Sequence, residues 1–314
     1  MRVASPSDLT GKRVLVTGAS GFTGRYVTAE LKAHGCRVIG VGGQSPPAPD
    51  AETPDEFNVV DLRDQAAVDR MVGEVAADHV VHLAAVAFVG HGNVDDFYRV
   101  NLLGTRNLLQ ALAAAGHRPE RVLLASSANV YGNLSSGALD ESMPPAPAND
   151  YAVSKLAMEH MAHLWSDRLP LTITRPFNYT GVGQAENFLV PKIVAHFARR
   201  APQIELGNLE VSRDFGDVRA VALAYRQLLQ SADAAGKTVN VCTGIGHSLG
   251  DILAMCSALS GHSLEVRVNP AFVRANEVRE LLGDNRLLRR LVCDWDVPPL
   301  EETLRWMLTA AERG

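Results

Sequence analysis

The stretch from Val14 to Val27, VLVTGASGFTGRYV, passes from a β-branched apolar run to an amphipathic one through Gly18, Gly21 and Gly24, spaced three residues apart. That order suits a strand, a tight turn and the start of a helix. Without Cβ atoms, such a turn lets a flat anionic group reach the backbone and the free N–H groups of the helix start. The group that fits is the pyrophosphate of a dinucleotide, although the spacing is G-x-x-G-x-x-G rather than the commoner G-x-G-x-x-G.

The same alternation continues along the chain: RVIGVGG, AAVDRMVGEVAA, HVVHLAA, RVNLLGTRNLLQALAAAG, RVLLASS, a helix over 150–167, then LTITRPF. Strands that are apolar throughout, separated by amphipathic helices, predict an α/β fold with a doubly wound parallel sheet of Rossmann type. After Pro176 the rhythm changes to loops, short strands and helices, which predicts a smaller C-terminal substrate-binding lobe. The expected division is a dinucleotide-binding domain over 1–175, joined by about 216–245 through the strand TVNVC, and a lobe over 176–215 and 246–314. QSPPAPD and SMPPAPAND read as proline-bearing loops.

Thirty basic against thirty-five acidic residues give a net charge of -5 without blocks of like charge, so neither nucleic acid nor an anionic membrane is the expected partner. Cys36, Cys242, Cys256 and Cys293 show neither metal-ligand nor disulfide spacing, which predicts reduced thiols, a cytoplasmic protein and no metal. No signal peptide or membrane-spanning run is read from the sequence.

An acidic residue closing the second strand would hold the adenosine ribose of NAD, but that strand ends VIGVGGQS. The cofactor is therefore expected to be NADP or NAD, with NADPH slightly favoured because no carboxylate repels a 2′-phosphate. Further on, Ser127 closes the strand RVLLASS, and YAVSK sets Tyr151 and Lys155 one helical turn apart on one face. A phenol beside an ammonium is a usable acid–base group, the lysine lowering the tyrosine pKa, and the serine can hold a substrate oxygen.

With these motifs in order, the chain resembles the extended short-chain dehydrogenase/reductase (NAD-dependent epimerase/dehydratase) family over nearly its whole length. TGASGFTG resembles the family's TGxxGxxG, and the resemblance implies cofactor contacts from Gly18, Gly21, Phe22, Thr23 and Gly24. Asp61 and Leu62 resemble its adenine-side pair. Leu83, Ala84 and Ala85 of HLAA, Asn101 of VNLLGT, Tyr151, Lys155 and Pro176 complete the cofactor residues it implies. SSANVYG and YAVSK supply its catalytic Ser127, Tyr151 and Lys155.

RPFNYTGVGQAENFLVPKIV, GNLEVSRDFGDV and RANEVRELLGDNRLL resemble segments of GDP-mannose 4,6-dehydratases and, more closely, GDP-4-keto-6-deoxy-mannose reductases. This implies a GDP-linked keto-deoxy sugar held by Asn129, Asn178, Asn187, Lys192, Arg213, Arg274 and Glu277, the two arginines lying near the diphosphate. Dehydratases of the family carry an acid just before the V-Y-G segment to take a proton from the sugar. Asn129 stands there and cannot, so the expectation is reduction of a 4-keto group with NAD(P)H, giving GDP-rhamnose or a related deoxy sugar. Alternatives, in order, are a nucleotide-sugar 4-epimerase with tightly bound NAD, a 4,6-dehydratase, and a non-catalytic NADP-sensing regulator. Three departures from the related sequences concern substrate fit: Tyr179 where histidine is usual, Val182 for proline, and Ala220 for a second Asp after DVR. His82 reads as a packed core histidine, and Met158, Met161 and Trp165 as core or interface. The helices near 96–116 and 150–167 correspond to those that pair family members into homodimers.

Overall fold

The computed structural model describes residues 7–44, 50, 52–88, 92–133, 137–272 and 280–313. β1 (Arg13–Thr17), α1 (Phe22–Ala33), β2 (Arg37–Gly42), β3 (Glu56–Val59), α2 (Gln65–Val75) and β4 (His79–His82) form the first half. The chain continues through α3 (Val94–Asp96), a π-helix (Phe97–Gly104), α4 (Thr105–Ala114), β5 (Arg121–Ala125), a short β6 (Ala138–Leu139), α5 (Asp150–His163) and β7 (Leu171–Pro176). These strands, with a later β11, make a seven-stranded sheet in the order β11-β7-β5-β4-β1-β2-β3, parallel throughout. β1 lies between β2 and β4, so the order reverses beside it, and the carboxyl ends of these strands are where a crevice is expected in a sheet of this order.

The strands are apolar because helices cover both faces: Val14, Val16 and Val38 pack under α1, while Leu15, Ile39 and Val80 pack under α2 and α4. β3 was absent from the sequence pattern. Its four residues, EFNV, form an edge strand with no fully buried position.

The remainder comprises β8 (Asn178–Thr180), α6 (Leu189–Ala198), β9 (Gln203–Leu206), β10 (Ser212–Asp217), α7 (Val218–Gln230), β11 (Thr238–Val241), β12 (Gly246–Ser248), α8 (Leu249–Ser260), β13 (Glu265–Val268), β14 (Glu280–Gly283), α9 (Arg286–Leu291) and α10 (Leu300–Ala311). β10 is the hub of a second sheet, pairing with β12, β14 and β8, while β13 pairs with β9. α6, α8 and α10 close a separate core around Ile193, Phe197, Ile252 and Leu304.

Two segments differ from the expected division. β6, inside 1–175, pairs with β14 of the second sheet. Leu288, Leu291, Val292 and Trp295, inside 246–314, pack with α1 and α7, and the Trp295 indole donates to the Ala220 carbonyl at 2.8 Å. Neither return carries a local pattern, because one is a two-residue pairing and the other rests on burial against distant helices. Among the described residues, no helix is long and apolar enough to cross a membrane, and no group of three or more His, Cys, Asp or Glu could hold a metal ion.

Candidate active site

Two features of the glycine turn leave its helix end free for an anion. Gly18 has φ 72°, and a Cβ there would stand 2.8 Å from the Ala84 nitrogen, so the turn closes against the loop after β4. At Gly24 a Cβ would collide with the Gly18 carbonyl oxygen at 2.1 Å, so α1 packs directly on the turn. α1 begins after Gly21 with neither a side-chain cap nor an acidic residue in its first turn. These features fit the pyrophosphate of a nicotinamide dinucleotide.

Asp61, expected on the adenosine side, is gripped by Arg63 through bonds of 2.7 to 3.0 Å, which holds its carboxyl below the usual range, and Leu62 is buried next to it in sequence. The carboxyl end of β2 is Gly42, followed by Gly43, with open space around the latter. Arg37 stands at the opposite end of β2, paired with Glu56, and Arg25 is paired with Glu52.

Ser127, Asn129, Tyr151 and Lys155 meet at the carboxyl end of β5. Asn149 caps α5 by accepting from Ala152 N–H, which sets Tyr151 in the first turn. The Ser127 hydroxyl, near its phenol, accepts from the backbone and side-chain nitrogens of Asn129 at 3.2 and 3.0 Å. Asn129 is exposed. Burial pushes Tyr151 up to about 12, opposed by the Ser127 hydroxyl and reinforced by Tyr179 nearby.

Lys155 lies fully inside, donating to the Ala125 carbonyl at 2.7 Å, and burial lowers it to about 8. The expectation that Lys155 depresses Tyr151 is therefore corrected: its ammonium is aimed at the Ala125 carbonyl, and burial governs the phenol.

Beneath these residues runs a buried network absent from the sequence reading. Arg175 on β7 forks onto Glu159 of α5 at 3.0 and 2.6 Å and donates to the Tyr131 hydroxyl at 3.0 Å. Ser126 donates to the same Glu159, and Tyr131 donates to Asn240 of β11 at 2.8 Å. Nothing local signals it, since Glu159 and Arg175 meet only when α5 folds onto β7.

The other expected residues are distributed as follows. Leu83, Ala84 and Ala85 line the loop beside Gly18, half-buried. Asn101 is buried and clamps that loop to α5: it accepts from Val86 N–H at 2.8 Å and donates to Ser154 at 3.1 Å, so it lies behind the crevice. Pro176 ends β7, and Asn178, exposed, donates to the Asp214 carbonyl at 3.4 Å. Asn187 is exposed just before α6, and Lys192 donates to the Glu205 carbonyl at 2.8 Å with its ammonium 5.1 Å from the Phe272 ring centre. Arg213 sits on β10 and donates to the Ser212 carbonyl at 2.8 Å. Arg274 and Glu277 lie outside the described residues. A cavity of about 220 Å³ lined by Arg226, Gln227 and Cys293 lies at the other end of the sheet, by Ser231 ahead of β11, and is separate from this cleft.

Residues 14–242 match the NAD dependent epimerase/dehydratase family. The chain is 36% identical to a GDP-6-deoxy-D-talose 4-dehydrogenase of Aggregatibacter actinomycetemcomitans, over 90% of this chain and 92% of that one. It is 32% identical to a GDP-6-deoxy-D-mannose reductase of Pseudomonas aeruginosa, over 93% and 99%. Among solved structures, a Burkholderia cenocepacia J2315 protein provisionally described as an epimerase superposes with a TM-score of 0.92 at 51% identity, covering 98% of this chain and 100% of its own. RMD from Pseudomonas aeruginosa complexed with NADPH superposes with 0.82 at 30% identity, covering 96% and 100%. With its glycine turn, its Ser–Tyr–Lys constellation and these matches, the chain belongs to the NAD dependent epimerase/dehydratase family, the extended short-chain dehydrogenase/reductases, and is an NAD(P)-dependent oxidoreductase.

Proposed function

We propose that this enzyme reduces the 4-keto group of a GDP-linked 4-keto-6-deoxy sugar, with NADPH preferred, to give GDP-rhamnose or a related deoxy sugar. The observation that carries this reading is the pair Asn129 and Tyr151. An amide occupies the place where elimination of water needs a carboxylate, and the phenol beside it is kept protonated by burial. A reduction asks for a proton donor and no second base.

A bound reduced nicotinamide supplies the hydride that goes to carbon 4. Ser127 holds the carbonyl oxygen, and Tyr151 gives its proton to that oxygen as negative charge develops, taking a proton back from solvent afterwards. Lys155, one helical turn from Tyr151 and on the Ala125 carbonyl, contributes a buried positive charge on the same side. Asn178, Asn187, Lys192 and Arg213 belong to the lobe over 176–215 and 246–314 that takes the GDP moiety, an assignment supported by the two GDP-sugar relatives.

Two further assignments belong to this reading. The protein works in the cytoplasm, where Cys36, Cys242, Cys256 and Cys293 remain thiols. It pairs as a homodimer through the neighbouring α4 and α5 regions, where Leu103, Val153 and Leu164 are exposed at 50%, 39% and 81%. A light-scattering mass of one chain at micromolar protein removes the dimer.

The test couples GDP-mannose to a separate 4,6-dehydratase, adds this protein, and follows reduced-nicotinamide absorbance with NADPH and NADH in turn. Stoichiometric loss with a new GDP-deoxyhexose is expected, and Tyr151→Phe should slow it by about two to four orders of magnitude. Interconversion of a nucleotide sugar without added cofactor overturns the reductase for a 4-epimerase, a second reading favoured by the 51% identical neighbour.

A further inference from the structure

Three consecutive residues close β5, and α5 meets each of them with one side chain. Lys155 donates to the Ala125 carbonyl at 2.7 Å, the Ser126 hydroxyl donates to Glu159, and the Ser127 hydroxyl lies near the Tyr151 phenol. Tyr151, Lys155 and Glu159 follow one another at intervals of four residues, so they form one stripe down the buried face of the helix. The proposed reduction uses the first two and gives Glu159 no role.

Glu159 is 3% exposed, and Arg175 of β7 forks onto it at 3.0 and 2.6 Å while also donating to the Tyr131 hydroxyl at 3.0 Å. A bidentate guanidinium fixes the plane of the carboxylate it grips. The oxygen that receives Ser126 is thereby held in place, and Ser127 is the next residue along the chain. The same carboxylate opposes the burial of Lys155, which drives the ammonium toward its neutral form.

We propose that Glu159 is a positioning residue for the reaction: through Ser126 it sets the end of β5 that presents Ser127, and from one turn beyond Lys155 it supplies the negative charge that favours an ammonium there. The inference rests on the use of Ser127, Tyr151 and Lys155 proposed above. The groups around Lys155 titrate in separate ranges. Burial carries Tyr151, on the same helix, up to about 12 and His82 of β4 down to about 3, while Arg175 of β7, behind Glu159, stays charged. Between pH 6 and 10 the group among them that changes charge is therefore Lys155, lowered by burial to about 8. Removing the carboxylate removes what raises it, so its midpoint moves to lower pH.

The test labels the five lysines with carbon-13 at Cε and follows the Lys155 signal by NMR from pH 6 to 10, without sugar. The signal is assigned with Lys155→Arg, and the proteins compared are the parent, Glu159→Gln and Ser126→Ala. The parent midpoint should lie near 8, and that of Glu159→Gln at least about one unit lower. Ser126→Ala keeps the carboxylate, so its midpoint should match the parent within about 0.3 unit, yet kcat should fall about tenfold with KM within about twofold. An unmoved midpoint in folded Glu159→Gln overturns the proposal, as does a Ser126→Ala variant with the turnover of the parent. Should Glu159→Gln not fold, Glu159→Asp decides: it retains a carboxylate and must retain the midpoint, and a fall of about one unit overturns the proposal. The titration uses neither sugar nor turnover, so failure of the proposed reduction leaves it unaffected, and the Ser126 comparison is then made on the nucleotide-sugar conversion that the parent performs.

Discussion

At the scale of single residues, burial moves the two members of the Tyr-x-x-x-Lys pair in opposite directions: Tyr151 up to about 12 and Lys155 down to about 8. In the proposed reduction the phenol is consequently a proton donor to a developing oxyanion, while the lysine is the member of the pair that titrates nearer neutrality. Their spacing was readable because it follows from helical geometry; the direction of the lysine was not, because the Ala125 carbonyl that receives it lies thirty residues away on another element. Gly43 carries a prediction at this scale. A Cβ there meets nothing within 4 Å, so an aspartate fits without strain and places a carboxylate just beyond the end of β2. Gly43→Asp should shift the ratio of NADPH to NADH dissociation constants at least about tenfold toward NADH, by repelling a 2′-phosphate and binding a ribose hydroxyl. An unchanged ratio in a folded variant would refute the idea that the absent acid sets the preference.

At the scale of elements, the proposed catalytic groups depend on a joint that the sequence conceals. Ser127 follows β5, Asn129 precedes Tyr131, and Tyr151 heads α5; the Glu159–Arg175 pair, with Ser126, Tyr131 and Asn240, ties these pieces to β7 and β11. Glu159 and Arg175 are 3% and 6% exposed, so each charge depends on the other for compensation. Glu159→Gln keeps the shape but leaves the guanidinium uncompensated, and should destabilise the protein by about 3 kcal/mol, visible as a lower denaturation midpoint with an unchanged slope. A loss under about 0.5 kcal/mol would place the pair among the ion pairs that contribute little. The strong apolar strands β1, β2, β4, β5 and β7 were legible because burial on both faces writes a continuous hydrophobic run. β3, with three half-buried edge residues and an exposed Val59, and β6, a two-residue pairing to β14, write none, and the ion pair likewise exists only through tertiary contact.

For the molecule as a whole, the point where the sheet order reverses is held by one fully buried histidine. Thr105 spends its hydroxyl hydrogen on the Asn101 carbonyl at 2.7 Å, so its oxygen must accept from His82 Nε2. Thr17 accepts from Ala84 N–H at 3.2 Å and therefore gives its hydrogen to His82 Nδ1 at 2.7 Å. The network assigns a neutral ring protonated at Nε2, and it joins β1, β4, the loop at Gly18 and the π-helix. A second ring proton would point at the Thr17 hydrogen, in a site without solvent and near the Lys155 ammonium; burial first and that charge second depress His82 from 6.5 to about 3. Because the folded value lies below the unfolded one, the unfolded chain binds the extra proton, and stability is fully present above about pH 6.5 and lost progressively as pH falls toward 3. His79, also buried and lowered, and the carboxylates add slopes of their own, so the parent is compared with His82→Asn. The variant should be less stable at pH 7 and lose stability less steeply, by about 1.4 kcal/mol per pH unit between pH 4 and 6, as read by denaturant unfolding. Equal slopes would mean that His82 takes up its proton without opening the joint at the centre of the sheet.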